Sequence, residues 1–506
     1  MTFADGNLAL SGYTASTSAY GTFGLSSGKW FWQIVAQANA MAGIAATPNG
    51  SQYPGQASDS YAMDLTNGTK YNNGSSATYG SGEITAGNVI GVGFDADAGT
   101  LKFYDSDGND IGTAYSSLTS GPYYPVFRNG NSANISINFG QTGAFTFTPS
   151  GYNSLTVLNF ADPAIADPGD HFNTVLYTGN GTTGQSITGV GFQPDWVWTK
   201  IRSPNAYSHQ LFDAVRGAGK NLQSNNTNAE GDLTSEFISF DSNGFTIDDV
   251  NQNVNENSST YVSWNWKANG SGASNEDGSI NTTATSANTT AGFSISTFTG
   301  NQTSGATFGH GLGVAPKMVI VKERSPAGNN WKVGHDAMGW GKYIALDTNA
   351  AQVTDSAHWN DTAPSSTVVT LGNDTGINQN TATYVAYCFA EVEGYSKISS
   401  YVGNGNADGP YVNCGFKPAW VIGKRIGGSG GYFDWWLFDS KRPGFNVTNE
   451  RIHPNNSQGT DTGAGSLDLV SNGFKIRTNT SSMNSSGDTI IFMAFAESPF
   501  KTATAR

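Results

Sequence analysis

One ten-residue phrase, written three times, constrains this chain more than any other feature. GFQPDWVWTK at 191–200 returns as GVAPKMVIVK at 313–322 and as GFKPAWVIGK at 415–424. Alternate residues of a strand share a face, so Trp196, Trp198 and Lys200 point one way while Val197, Thr199 and Ile201 point the other. In the second copy Met318, Ile320 and Lys322 oppose Val319, Val321 and Glu323. In the third, Trp420, Ile422 and Lys424 oppose Val421, Gly423 and Arg425. Both faces begin apolar and turn polar at the end, the pattern of a central strand between two packed layers. The proline of each copy stands at the strand start, where a missing N–H costs least.

The repeat extends well beyond that strand. Pro194, Pro316 and Pro418 each precede by six residues a lysine, Lys200, Lys322 and Lys424. An aspartate follows in a similar setting: Asp213 in LFDAVRG, Asp336 in GHDAMG and Asp439 in LFDSKRPG. Each copy opens on a strand (VLYTGNG, ISTFTGN, ISSYVGNG) and closes on an aromatic one (TYVSWNWKA, TYVAYCFAE, TIIFMAFAE). The Lys and Asp pairs are its best polar candidates, and they are expected to be structural, either paired or independently solvated. A catalytic device would fix polar residues at set offsets, whereas this repeat mainly fixes framework. It is read as a building block.

Repeat modules are accordingly expected at 173–268, 292–393 and 394–506. A connector with prolines spans 158–172, and a polar, nearly apolar-free flexible linker spans 269–291. At 506 residues the chain is too long for one core. With 64 glycines, 12% aromatics and no long helical runs, an all-β chain follows. The net charge of −14, with Lys and Arg scattered singly, argues against nucleic-acid binding. No apolar run is long enough for membrane insertion. Cys388 and Cys414 cannot make a disulfide framework or a four-ligand zinc site. The N-terminus lacks a secretory signal pattern and opens almost directly on strand-like sequence. Either a minimal start or a missing attachment segment is therefore expected.

Residues 1–157 have no counterpart among the repeats and alternate apolar and polar residues between Gly, Asn and Asp turns. In order, they read SSGKWFWQIVA, GNVIGVGFDADAGTLKFYDSDGNDIG, GPYYPVF and ISINFGQ. This run resembles a SPRY domain, which implies an N-terminal antiparallel β-sandwich followed by three homologous sandwich-type modules. Further on, ADPGDHFNTVLYTGNGTTGQSITGVGFQPDWVWTKIR, TYVAYCFAEVEGYSKISSYVGNGNADGPYV and MAFAESPFKTATAR resemble repeat-containing structural proteins of marine bacteriophages. That resemblance implies a virion component of a tail fibre or other surface appendage. Its partners would be other virion proteins and a host-surface glycan or protein.

Motifs with catalytic overtones weigh less. GNGTTG at 179–184 fits a dinucleotide fingerprint literally, but strand-like QSITGVGF follows where a helix is required. GGSGG at 427–431 matches a nucleophile pattern around Ser429, yet neither flank looks helical. The six histidines show no metal-ligand spacing. His209 and His335 hold comparable places before their aspartates, with Trp435 nearby in the third copy, and a structural or surface role is expected for them. Asp95, Asp97, Asp105, Asp107 and Asp110 cluster, but no EF-hand loop is present. Hairpin turn capping is the favoured reading, with bound Ca²⁺ as the alternative. No catalytic residue, metal or cofactor is assigned.

The expected function is therefore a non-enzymatic appendage subunit on the particle, holding loops out to a host ligand. Candidate contacts are aromatics in polar, copy-specific segments: Trp340 in MGWGK, Trp359 in SAHWNDT and Tyr432 in GSGGYFD. A capsid decoration or head-fibre protein is an alternative. A polysaccharide depolymerase is another, though pairs such as Glu391 and Glu393 mark no cleft. A homo-oligomer, as a trimer, is expected on symmetry grounds.

Overall fold

The computed structural model describes the chain except residues 1, 5–8, 12–17, 36–38, 49–51, 83, 86, 120, 131–134, 141–143, 161, 204–206, 249–251, 429–432, 444, 464–465 and 504–506. The chain is all-β, and its helices among the described residues have at most four residues. It divides into two compact units, Met1–Asp162 and Pro163–Arg506.

The first unit packs two sheets face to face, antiparallel apart from the short strand Asn153–Ser154, which lies parallel to Lys29–Val35. One is centred on Lys29–Val35 and Val89–Asp95, the other on Met41–Ala45 with Tyr124–Arg128 and Ser60–Asp64 beside it. Alternation decides which residues meet between them: Trp30, Trp32 and Ile34 join Ile44, Met63, Val92 and Phe94 in the core. Phe31, on the other face of its strand, is buried beneath Phe145 and Phe147. The Asp-rich stretch forms turns. Asp95 accepts from the Ala98 N–H, and Asp105 accepts from the N–H groups of Asp107 and Asn109.

The second unit contains three sandwiches built to one plan. In the first, Phe172–Thr178, Thr260–Trp266, Trp196–Ile201 and Gln210–Asp213 lie side by side in that order, all antiparallel. The second repeats the order with Phe293–Thr299, Thr383–Phe389, Met318–Ser325 and Lys332–His335. The third uses Ser396–Val402, Thr489–Pro499, Phe416–Arg425 and Trp436–Asp439. A smaller outer sheet covers one face of each and encloses a private core. Val197 and Phe212 pack there in the first module, Val319 and Val321 in the second, Val421 and Phe438 in the third. The thrice-written phrase is thus the central strand its two apolar faces require. Pro194 and Pro316 stand just before that strand, and Pro418 sits at a register shift within it.

The inner faces do not close within their own modules. Trp196, Trp198 and Trp266 of the first, Met318, Tyr387 and Phe389 of the second, and Trp420, Met493 and Phe495 of the third share one continuous core. Ring contacts cross every junction: Trp196–Tyr387 at 4.5 Å, Trp266–Trp420 at 5.4 Å and Phe389–Phe495 at 6.1 Å. The three modules form a closed ring about this core.

Two expectations change here. The segment 269–291 is built into the second module and is not a flexible linker. Ala284–Asn288 pairs with Phe293–Thr297, the Ile280 N–H donates to Thr307 O at 2.8 Å, and Ala291 is buried in the shared core. An edge strand needs few apolar anchors, because its Ser, Thr and Asn side chains face water or bond locally. Register also moves the repeat's polar position. Asp213, His335 and Asp439 occupy equivalent places opposite Trp196, Met318 and Trp420. Asp336 lies one residue further on and is exposed. The identical letters in GHDAMG had suggested the wrong alignment.

The corrected register explains Trp340 and Trp359. Phe212 and Phe438 fill the outer cores of their modules, and Gly334 holds the equivalent position in the second. A Cβ on Gly334 would lie 2.5 Å from the Trp340 ring and 2.8 Å from the Trp359 ring. Those two rings, 5.7 Å apart and edge to face, occupy the vacated space with only 7% and 0% exposure. They are core, not ligand contacts. Trp359→Ala is expected to cost about 3–5 kcal/mol in urea unfolding. Adding Gly334→Phe to that variant should recover part of the loss, whereas Gly334→Phe alone should destabilise the protein. Additive losses in the double variant would refute the shared space.

Candidate functional site at the module junctions

Polar residues that the copies share converge on the junctions: the lysine position reaches from first module to third, second to first and third to second, and the aspartate position reaches the opposite way round. Lys200, Lys322 and Lys424 extend the apolar inner face of the central strand and are fully buried. Each amine donates to a carbonyl of its own following loop, at Tyr207, Asn329 and Phe433. Each also donates to the next module: Lys200 to Ser457 O at 3.0 Å, Lys322 to Thr227 O at 3.4 Å and Lys424 to Asn349 O at 2.9 Å. Carbonyls replace water here, and burial pushes the three amines down to about 7, about 8 and about 7 respectively.

The neighbouring ring position follows the same cycle as the lysines. His209, Trp331 and Trp435 are equivalent by register, and each directs a ring nitrogen at a neighbour's carbonyl: His453, Gln223 and Ala345. His209 and His335 are therefore not counterparts. Asp213 accepts from the Tyr387 hydroxyl of the second module at 2.7 Å, and Asp439 accepts from the Trp264 indole of the first at 3.0 Å. Both carboxylates are fully buried and paired with an arginine three residues on, Arg216 at 2.5 Å and Arg442 at 2.6 Å. At the third junction His335 stands in for the aspartate. Its Nδ1 accepts from the Ala337 N–H, which leaves the Nε2 proton facing the Phe492 carbonyl at 3.4 Å. There the arginine is replaced by Met338 and the opposing donor by Met493.

The Lys and Asp expected as pairs are thus never partners of each other. Lys200, Lys322, Lys424, Asp213 and Asp439 each bond elsewhere along the junctions, and Asp336 is exposed. Tyr432 and Ser429 lie outside the described residues. GNGTTG is a turn between two strands. The sequence reading missed three buried asparagines, Asn255, Asn378 and Asn484, on one-turn helices. Each accepts from the first N–H of the opening turn, at Asn180, Asn301 and Asn404, over 2.7–2.9 Å. A signal existed, since each stands five residues before the threonine that opens the closing strand. Among the described residues no cluster of three or more His, Cys, Asp or Glu could hold a metal ion. Neither thiol lies at the surface, and burial pushes Cys388 up to about 12.

The fold and junctions define the chain as an all-β protein with a SPRY domain at residues 29–142, where the SPRY family model matches. The chain belongs to the family described as "Domain of unknown function (DUF7483)", whose model matches residues 167–499 and so takes in all three modules. Solved structures similar to the N-terminal part include the SPRY domain of human HERC1, at 19% identity over 26% of this chain and 87% of that one, TM-score 0.23. The TRIM65 PSpry domain matches at 14% identity over 27% and 84%, TM-score 0.23. Stonustoxin matches at 20% over 27% and 24%, TM-score 0.22. No curated protein matches the chain.

Two outcomes test the junctions. Asp213→Asn should cost about 3 kcal/mol, because it removes the fully buried partner of Arg216 and leaves that guanidinium only the carboxylate of Glu230 at 3.2 Å, while Asp336→Ala should stay within about 0.5 kcal/mol. Equal losses would restore the alignment by letters. The lysines also set a pH trend. Their folded values lie below the unfolded value near 10.5, so the unfolded state binds more protons between about 7 and 10.5, and stability rises with pH there. Between pH 7.5 and 8.5 each lysine can add up to about 1.4 kcal/mol. The thermal midpoint should rise across that window and rise less in Lys200→Met. A flat or falling wild-type curve would contradict this.

Proposed function

We propose that the chain is a non-enzymatic structural protein of a bacteriophage virion, a tail-fibre or appendage subunit on the particle surface that holds loops out to a host ligand. The observation that carries the reading is where the repeats place their shared polar residues. All those identified join strands, turns or modules to one another, and none converges on an open cleft where substrate could be held. A protein whose repeated groups all serve rigidity is a scaffold, and ligand contacts on such a scaffold belong to its loops. The resemblance of the modules to marine phage structural proteins supplies the setting. In a homo-oligomer of this chain the inner faces are already consumed within each copy, so copies would join through other surfaces.

The test uses purified phage particles carrying this protein. Mass spectrometry should find it in stoichiometric amounts in intact virions, and soluble full-length chain should reduce particle adsorption to host cells. Absence from washed particles would sink the reading. Release of reducing sugars from host polysaccharide by the pure protein would favour a depolymerase instead.

A further inference from the structure

The three copies act as internal controls for one another, and one position fails the comparison. Gln210, Lys332 and Trp436 are equivalent by register, on the face of the inner sheet that looks toward the outer sheet. Gln210 is satisfied, its amide oxygen accepting from Asn221 at 2.7 Å. Trp436 fills the space left by Gly423, whose Cβ would meet the ring at 2.1 Å. Lys332 is only 8% exposed, and its amine has neither a hydrogen bond nor an ion pair to any described residue. Its ammonium stands 4.3 Å from the centre of the Tyr343 ring. The stem packs as an apolar chain, while the head rests on the Tyr343 face in a cation–π contact and is not sealed from solvent, so its N–H groups stay free to meet a ligand.

The surroundings say what could. Tyr343 stacks on His358 at 3.7 Å, and His358 lies 3.3 Å from both Asp355 and Asp374. Those carboxylates cap two short helices through the N–H groups of Ala357 and Gly376, and their side chains are 39% and 30% exposed. Capping accounts for the aspartates, but not for Lys332 or for His358, whose two ring nitrogens are buried with no hydrogen bond to any described residue. An anion would meet two carboxylates, on a chain of net charge −14. A cation would meet the Lys332 ammonium, which has no ion pair to a described residue. A neutral ligand whose groups both donate and accept satisfies both, and hydroxyls do so.

We propose that Lys332, Tyr343, Asp355 and Asp374 form a recognition site, confined to the second module, for a neutral pyranose unit of a glycan. Ring hydroxyls accept from the ammonium and donate to the exposed carboxylate oxygens, and the Tyr343 hydroxyl adds a group that does either. The proposal deepens the host-surface reading and rests on it only for the source of the glycan.

Saturation-transfer NMR on the full-length chain tests the site, with glucose, galactose, mannose, rhamnose and N-acetylglucosamine as probes and glucuronate and glucosamine as charged controls. At least one neutral sugar should show transfer that the charged sugars lack. Lys332→Met should abolish it while leaving the thermal midpoint unchanged or higher, and Tyr343→Phe should weaken it several-fold. Unchanged transfer in Lys332→Met, stronger transfer to glucuronate, or no transfer to any neutral sugar would overturn the site. Virion incorporation and adsorption would be untouched by that failure, so the broader reading would stand or fall separately.

Discussion

Each module of the second unit leaves one face of its inner sheet uncovered by its own chain segment, and the core those faces share holds seven of the twelve tryptophans of the chain. Burying one aromatic ring removes about 150–250 Å² from water, worth roughly 4–6 kcal/mol at about 25 cal/mol per Å². Trp196, Trp198, Trp264, Trp266, Trp420 and Phe495 all lie in the common core. Left open, those faces would be an aggregation surface. Closed against two neighbours, they become the interior of a single body. The polar features of the junctions follow from that burial. Strand ends carried inside by the aromatic faces bring their lysines, and the loops facing them must offer carbonyls in place of water.

The aspartate junctions show how strictly buried charge is matched. Where Asp213 and Asp439 are present, an arginine three residues on and a ring donor from the next module are present too. Where the carboxylate gives way to His335, both companions become methionine. Losing only one member would strand a charge in a medium that cannot solvate it. The three positions differ from their counterparts as a set, although they lie far apart in sequence and on two different modules.

Much of this was legible in the letters, and the exceptions have physical causes. Period-2 alternation in GKWFWQIV marked a strand of the first unit, and the double apolar face of GFQPDWVWTK marked a central strand. Trp340 and Trp359 misled because polar neighbours hid that Gly334 had vacated a core position. Such a compensation is visible only once register pairs Gly334 with Phe212 and Phe438. The segment 269–291 misled because an edge strand is composed like a linker. Lys332 could not be singled out at all, since its peculiarity is the lack of an acceptor, which is a property of space and not of sequence.

The covalent linkage of the three modules has a consequence for how the ring can change. In an assembly of identical subunits every substitution appears at all junctions at once, so an altered junction must work three times over. Here each junction is encoded separately. One could exchange an ion pair for a histidine and two methionines, and one outer core could trade a phenylalanine for two tryptophans, while the remaining copies kept the original solution. Continuity of the chain turns symmetry from a rule that every copy must obey into a starting point from which a single copy can be specialised.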